Sequence, residues 1–196
     1  MKWIMENPDG KMKIIFLDID GVLNGYNIWT KRWCNFFSMF GLRNWFIEQW
    51  DFNGIHEHKI HILSRIVRKT GAKIVLSGST RFGFFNSTAT QSKRNRKLYH
   101  YHVKYDLNII DITPNLHQKE KYSRAVEISA WLEEHEGQVE SFVILDDENF
   151  DLIETFGDRV VITSKDGNIC GAWEEDTGLK LKHIKQVVEI LKRKVR

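Results

Sequence analysis

Two kinds of hydrophobic pattern alternate along the chain. Short runs rich in β-branched and aromatic residues predict buried strands, and segments with an apolar residue every three or four positions predict amphipathic helices. Five strands are predicted in this way, within residues 13–17, 72–80, 108–113, 140–151 and 159–164, of which the third has the weakest pattern. Helices are predicted at residues 56–69, 123–136 and 179–191, with Gly71 and Gly137 closing the first two.

The alternation of strands with helices predicts the fold class. It is typical of an α/β protein, a Rossmann-like three-layer sandwich with a mainly parallel sheet and helices on both faces. A chain of 196 residues suits a single domain, 1–196, with room for an insertion. In such sheets ligands bind outside the carboxyl ends of the strands, which tells us where to look for chemistry.

Composition changes this picture little. Hydrophobic residues make up 42% of the chain, enough for a core, and the 28% of charged residues with a net charge of only +3 argues against disorder. Cys34 and Cys170 lie far apart without the spacing of a zinc site, as expected for free thiols in a reducing compartment. No apolar run is long enough to span a bilayer and the first residues do not resemble a signal peptide, so we expect a cytoplasmic protein without membrane association.

Acidic side chains follow two of the predicted strands, and small polar residues follow a third. These residues are Asp18 and Asp20, then 77–80, then Asp146, Asp147 and Asp151. If the strands are neighbours, the acids converge at one edge of the sheet, and a metal ion would offset their mutual repulsion. Carboxylate oxygens with room for water and phosphate suit Mg²⁺. The alternative, a helix N-cap or turn residue, stays open for any single acid but not for the whole set.

Two of these acids suit phosphoryl transfer. A carboxylate held by Mg²⁺ can attack phosphorus and form an aspartyl phosphate. Asp18 directly ends its strand and should be rigid, so we expect it to be the nucleophile. Asp20 lies two residues on and points to the same side, where it can protonate the leaving oxygen and later deprotonate the attacking water.

The charge on the transferring phosphoryl oxygens also needs stabilisation. Ser77 offers a hydroxyl, and the backbone at Gly78 offers amide donors. A cation is needed as well. Arg124, which opens the predicted helix 123–136, is one candidate, and Lys119 and Lys121 are its rivals.

These residues carry a family resemblance. The stretch FLDIDGVLN is similar to the first motif of the haloacid dehalogenase-like (HAD) phosphatases, in which the first Asp is the nucleophile and the second is the general acid/base. These roles fall on Asp18 and Asp20. The family's second motif, a strand ending in Ser or Thr, falls on Ser77 in IVLSGST. Its third motif is a Lys or Arg, and its fourth is an acidic group that matches ILDDENFD at Asp146, Asp147 and Asp151.

A narrower resemblance concerns the HAD domain associated with bacterial and phage RNA repair proteins. The segments VLSGSTR, ITPNL, RAVEISAWLEEH and VILDDE resemble that domain, although it usually shows SSSWR where this chain has SGSTR. The resemblance makes Arg124 the third-motif cation and implies a Mg²⁺-dependent phosphatase. We further expect the substrate to contact Gly78, Arg81 and Lys119. The metal ligands that the family resemblance implies are Asp18, Asp20, Asp146, Asp147 and Asp151.

Two segments bear on the substrate. Members of the family often cover the site with an inserted cap, and the aromatic-rich residues 24–53 are placed to form a small lid, whose rings either stack on a base or form the lid's own core. Residues 91–105 interleave cations with tyrosines, as in a single-strand nucleic-acid interface. Because residues 98–105 also alternate, an exposed edge strand with a solvated charge run explains them equally well. In that strand His100 and His102 share a face, but no third metal ligand accompanies them.

Three functions therefore remain open. The first is a phosphatase that acts on a phosphorylated nucleotide or nucleic-acid end. The second is a phosphatase for sugars or other small metabolites. The third is a non-catalytic module that binds phosphate or nucleic acid.

Overall fold

The computed structural model describes residues 10–24, 36–42, 54–86, 92–116, 123–149, 151–164 and 178–195. Most of the predicted lid, 24–53, lies outside these ranges, as do Lys119 and Lys121. Within the lid, residues 36–42 are described. There the ring of Phe36 meets those of Phe37 and Phe40 edge to face, at centroid distances of 5.6 and 5.3 Å.

The described part of the chain contains a five-stranded sheet in which every pair of neighbouring strands is parallel. The strands lie in the order β3-β2-β1-β4-β5 and span β1 Met12–Leu17, β2 Lys73–Leu76, β3 Ile109–Ile112, β4 Val139–Asp146 and β5 Val160–Ile162. The helices among the described residues include α1 Glu57–Thr70, α2 Lys93–Tyr105, α3 Arg124–Glu134, α4 Leu152–Phe156 and α5 Leu181–Leu191. The predicted α/β fold class is confirmed.

The sheet is covered on both faces, as the alternation of side chains along β1 illustrates. Ile15 and Leu17 are fully buried in a cluster with residues of α1, α2 and α5. Ile14 and Phe16 are fully buried in a second cluster on the other face, with residues of α3 and α4. Because successive side chains of a strand point to opposite faces, a continuous apolar run such as β1 indicates a strand buried between two helical layers.

The helix ends follow local signals in the sequence. Gly71 ends α1 with a φ of 67°, a left-handed conformation that glycine adopts without strain. Ser123 begins α3, where its hydroxyl accepts a hydrogen bond from the backbone N–H of Val126 at 3.1 Å. None of the described helices is long and apolar enough to cross a membrane.

The strand considered for residues 98–105 is wrong, because these residues belong to α2. Ser92 caps this helix by accepting from the backbone N–H of Asn95, and Leu98 and Tyr101 are buried three residues apart on one helical face. The sequence alternates here, but burial follows the helical spacing. His100 and His102 therefore do not share a face, since two residues are separated by about 200° around a helix.

Candidate active site

Three buried carboxylates meet at the carboxyl edge of the sheet. Asp18 follows β1, Asp146 ends β4 and Asp147 comes next, and one oxygen of each lies within 4.8 Å of the others. Their convergence follows from the sheet, because β1 and β4 are neighbours in register and the backbone N–H of Asp18 donates to Leu145 at 2.9 Å. At most 6% of any of the three residues is exposed. The convergence predicted from the strand ends is therefore present for Asp18, Asp146 and Asp147.

One arginine lies among these carboxylates. Nη1 of Arg124, the first residue of α3, is 3.3 Å from Oδ2 of Asp18 and makes a closer contact with Asp146. Arg124 itself is 7% exposed. Among the described residues the group thus combines three carboxylates with one guanidinium, an excess of buried negative charge.

The electrostatics of the group favour a further cation. Burial, and then the charge of Asp146, hold the pKa of Asp18 well above its usual range, while Arg124 opposes the shift. Burial also raises the pKa of Asp146. Burial and the neighbouring Asp146 raise the pKa of Asp147 to about 7. A divalent cation that binds oxygen would offset this repulsion and allow all three groups to ionise.

A buried hydroxyl lies on the adjacent strand end. Ser77 follows β2, is fully buried, and donates its backbone N–H to Leu17 at 3.0 Å. Its Oγ has no hydrogen-bond partner among the residues that the structure describes. An unpaired buried hydroxyl is costly, so this atom is suited to a ligand oxygen.

Two glycines leave space for the carboxylates. A Cβ on Gly78 would lie 1.6 Å from Oδ1 of Asp18, and a Cβ on Gly21 would lie 1.9 Å from Oδ2 of Asp147. No side chain fits at either position while the carboxylates stay in place. The donor set, the unpaired Ser77 hydroxyl and the close backbone together fit a metal and a phosphate.

Asp20 lies beside the group of three carboxylates but outside it. Its Oδ2 accepts from Thr80 at 2.8 Å, and its Oδ1 accepts from Asn24 at 2.9 Å and from Nη1 of Arg94 at 2.5 Å. Arg94 belongs to the basic stretch 91–105, and sequence analysis did not connect it with the acids. A separation of 74 residues from Asp20 leaves no local signal for that contact.

Asp151 also lies outside the group of three. Its carboxylate accepts from the hydroxyl of Ser123 and from the backbone N–H of Ala125, the latter at 3.3 Å. It therefore holds the amino end of α3, the helix that carries Arg124. Asp20 and Asp151 are not in the group of described carboxylates that lie within 4.8 Å of one another, and their role as metal ligands stays a prediction.

Arg81 is committed to the protein itself. All five of its N–H groups are used, four on the carbonyl oxygens of Ser77, Gly78, Thr113 and Pro114 and one on Glu127, at 2.7–3.1 Å. The residue is 1% exposed. This geometry favours a supporting role for Arg81, beneath the loop after β2, over the substrate contact predicted from the sequence.

A family model described as the HAD domain in Swiss Army Knife RNA repair proteins matches residues 14–168. The match includes every site residue predicted from the sequence. No curated protein and no solved structure matches the chain significantly.

Proposed function

Since the chain belongs to the family of HAD domains in Swiss Army Knife RNA repair proteins, we propose that it is a Mg²⁺-dependent phosphomonoesterase acting through an aspartyl phosphate on Asp18. The family match supports a hydrolase of the phosphatase type. The observation that carries the finer proposal is the cluster of Asp18, Asp146 and Asp147, two of which contact Arg124. Beside it lies the hydroxyl of Ser77, which has no hydrogen-bond partner among the described residues.

Asp18, Asp146 and Asp147 are the residues that would hold Mg²⁺. When bound, the ion supplies positive charge that shields the nucleophile from the phosphate and stabilises the phosphoryl oxygens. The hydroxyl of Ser77 and the guanidinium of Arg124 would bind the remaining phosphoryl oxygens. Because residue 78 is glycine, no Cβ occupies the space beside its backbone that the Asp18 carboxylate fills.

The reaction has two steps. In the first, a carboxylate oxygen of Asp18 attacks phosphorus, the bond from phosphorus to the ester oxygen breaks, and protonated Asp20 gives its proton to that leaving oxygen. In the second, water attacks the phosphorus of the aspartyl phosphate and gives a proton to Asp20. Inorganic phosphate leaves and the Asp18 carboxylate is restored.

The proposed substrate is a phosphorylated nucleotide or nucleic-acid end. The support comes from α2, which begins beside the acids through Arg94 and carries exposed cations at Lys93 and Arg96. Tyr99, on the same helix, is 43% exposed. Cations beside an exposed ring suit a single strand, because phosphates bind the cations and a base stacks on the ring.

The test is phosphate release in the presence of Mg²⁺ from a panel of substrates. The panel contains 3′- and 5′-phosphorylated oligonucleotides, mononucleotides, sugar phosphates and an aryl phosphate. Asp18→Asn should abolish release, whereas the matched control Asp158→Asn, an exposed residue before β5 that pairs with Arg193, should not. Release from nucleotides or oligonucleotides is the expected result. Release from sugar or aryl phosphates alone would overturn the substrate, and release that survives Asp18→Asn would overturn the mechanism.

A further inference from the structure

A second arginine reaches the site from a different helix. Nη1 of Arg94 lies 2.5 Å from Oδ1 of Asp20 and 3.3 Å from the hydroxyl of Thr80. The side chain is 28% exposed, so it borders both the site and the solvent. The start of α2, which carries Arg94, is held in place by two contacts. Ser92 caps the helix, and the side-chain amide of Asn95 donates to the carbonyl of Phe82 at 2.9 Å.

Arg124 and Arg94 lie on different sides of the site. Arg124 contacts Asp18 and Asp146, and therefore lies where phosphorus is attacked. Arg94 contacts Asp20, which under the proposed function protonates the leaving oxygen. A group in contact with Asp20 lies on the side of the leaving group, so Arg94 is placed to meet whatever the leaving oxygen is attached to.

We propose that Arg94 is a specificity-determining residue that binds a second phosphate, carried by the leaving group of the substrate. This inference rests on the proposed function and deepens it. The substrate class is a phosphomonoester whose leaving group carries another phosphate, as in a nucleoside bisphosphate or a phosphorylated oligonucleotide. The planar fork of arginine binds phosphate with two parallel N–H groups. Lys93 and Lys97 lie within one turn of Arg94 on α2 and add positive potential on this side.

The test is a selectivity ratio. For wild type and Arg94→Gln, kcat/KM is measured with adenosine 3′,5′-bisphosphate and with 3′-AMP and 5′-AMP, always with Mg²⁺. A phosphorylated dinucleotide and a sugar bisphosphate, each beside its monophosphate, show which source of the second phosphate the enzyme accepts. We expect wild type to prefer the substrates with a second phosphate by about tenfold or more, and Arg94→Gln to remove most of that preference.

The ratio of kcat/KM with and without a second phosphate shows whether Arg94 binds that phosphate or only positions Asp20. If Arg94 only positions Asp20, the substitution lowers kcat/KM for all substrates by the same factor and the ratio stays constant, which would overturn the proposal. Arg68→Gln is the matched control, because Arg68 is an exposed arginine in the last turn of α1, which leads into the amino end of β2, at the edge of the sheet opposite the site. It should leave the ratio unchanged, and an equal loss of preference in both variants would also contradict a specific role for Arg94.

A failure of the proposed function gives a different result, namely no phosphate release from any substrate. In that case calorimetry measures the binding of the bisphosphate and the monophosphates to the Mg²⁺-loaded protein. The second-phosphate site predicts tighter binding of the bisphosphate to wild type and no such advantage in Arg94→Gln. Equal binding of both ligands to wild type would overturn it.

Discussion

Gly78→Ala should disable the site while leaving the fold intact. The backbone of Gly78 has φ −79° and ψ 172°, an extended conformation that alanine adopts without strain. The added methyl group would lie 1.6 Å from Oδ1 and 2.8 Å from Cγ of Asp18. The carboxylate must therefore move, because Cβ contacts under 3.0 Å are essentially never seen.

The size of the effect follows from that displacement. To restore an ordinary contact, the Asp18 oxygen has to move by more than about 1 Å, and a misplacement of that order costs roughly 100-fold in rate. We therefore expect kcat to fall by about 100-fold or more, equivalent to about 2.7 kcal/mol in the activation free energy. The free energy of unfolding should change by less than about 1 kcal/mol, since the backbone is unstrained.

The assay is single-turnover phosphate release with Mg²⁺, beside urea unfolding of the same samples. Gly137→Ala is the opposite control, because its Cβ would have no neighbour within 4 Å but its φ is +78°. That variant should lose about 1 kcal/mol of stability and keep its turnover. If Gly78→Ala turned over at the wild-type rate, Asp18 could not be the nucleophile in the position that it has here, against the backbone of residue 78.

Three further predictions concern other parts of the structure. Arg81→Met leaves the buried Glu127 carboxylate without its cation and should cost about 3–5 kcal/mol in urea unfolding, whereas a cost below about 1 kcal/mol would contradict the role given to this pair. Burial, and then the nearby lysines, lower the pKa of His183 to about 4, so the fold loses stability as the pH falls below about 6.5. At pH 5 the free energy of unfolding of wild type should have fallen by roughly 1–2 kcal/mol more than that of His183→Gln. Identical pH profiles of stability for the two proteins would refute this prediction. The pKa of Asp147 is raised to about 7, against 3.8 for a free carboxyl, so the metal-free fold loses stability as the pH rises from about 4 to 7. Mg²⁺ should therefore raise Tm more at pH 8 than at pH 5.5. Equal increases in Tm at both pH values would contradict this prediction.

The parts predicted well from the sequence are those governed by local patterns and by one rule of topology. Asp18 directly follows the buried run of β1 and Asp146 ends that of β4. Because parallel strands place their carboxyl ends at one edge, the convergence of these two acids could be predicted from the sequence. Helix α3 was predictable for a similar reason, since Ser123 precedes an amphipathic segment, although the helix ends at Glu134 with His135 as its C-cap, before the Gly137 that the sequence suggested as its end.

The parts that escaped depend on contacts between distant segments or on competing patterns. Alternation over residues 98–105 resembles a strand, but Leu98 and Tyr101 are also spaced for one face of a helix, and packing against α1 selects the helix. The contact of Arg94 with Asp20 and the five donors of Arg81 have no local signature. From sequence, a buried arginine that binds carbonyl oxygens looks the same as one that binds substrate.

The position of β1 in the middle of the sheet has a consequence for how the protein is made. Its longest pairing is with β4, in which Ile14 aligns with Phe142, so the two central strands are far apart in the chain. Pairings of such high contact order form slowly, because a long loop must close first. During synthesis on the ribosome, Asp18 emerges long before Asp146. The two acidic residues therefore stay separated until the central strands pair. The repulsion within the site therefore arises only once these two strands have paired, and a cation that binds the paired acids would slow unfolding.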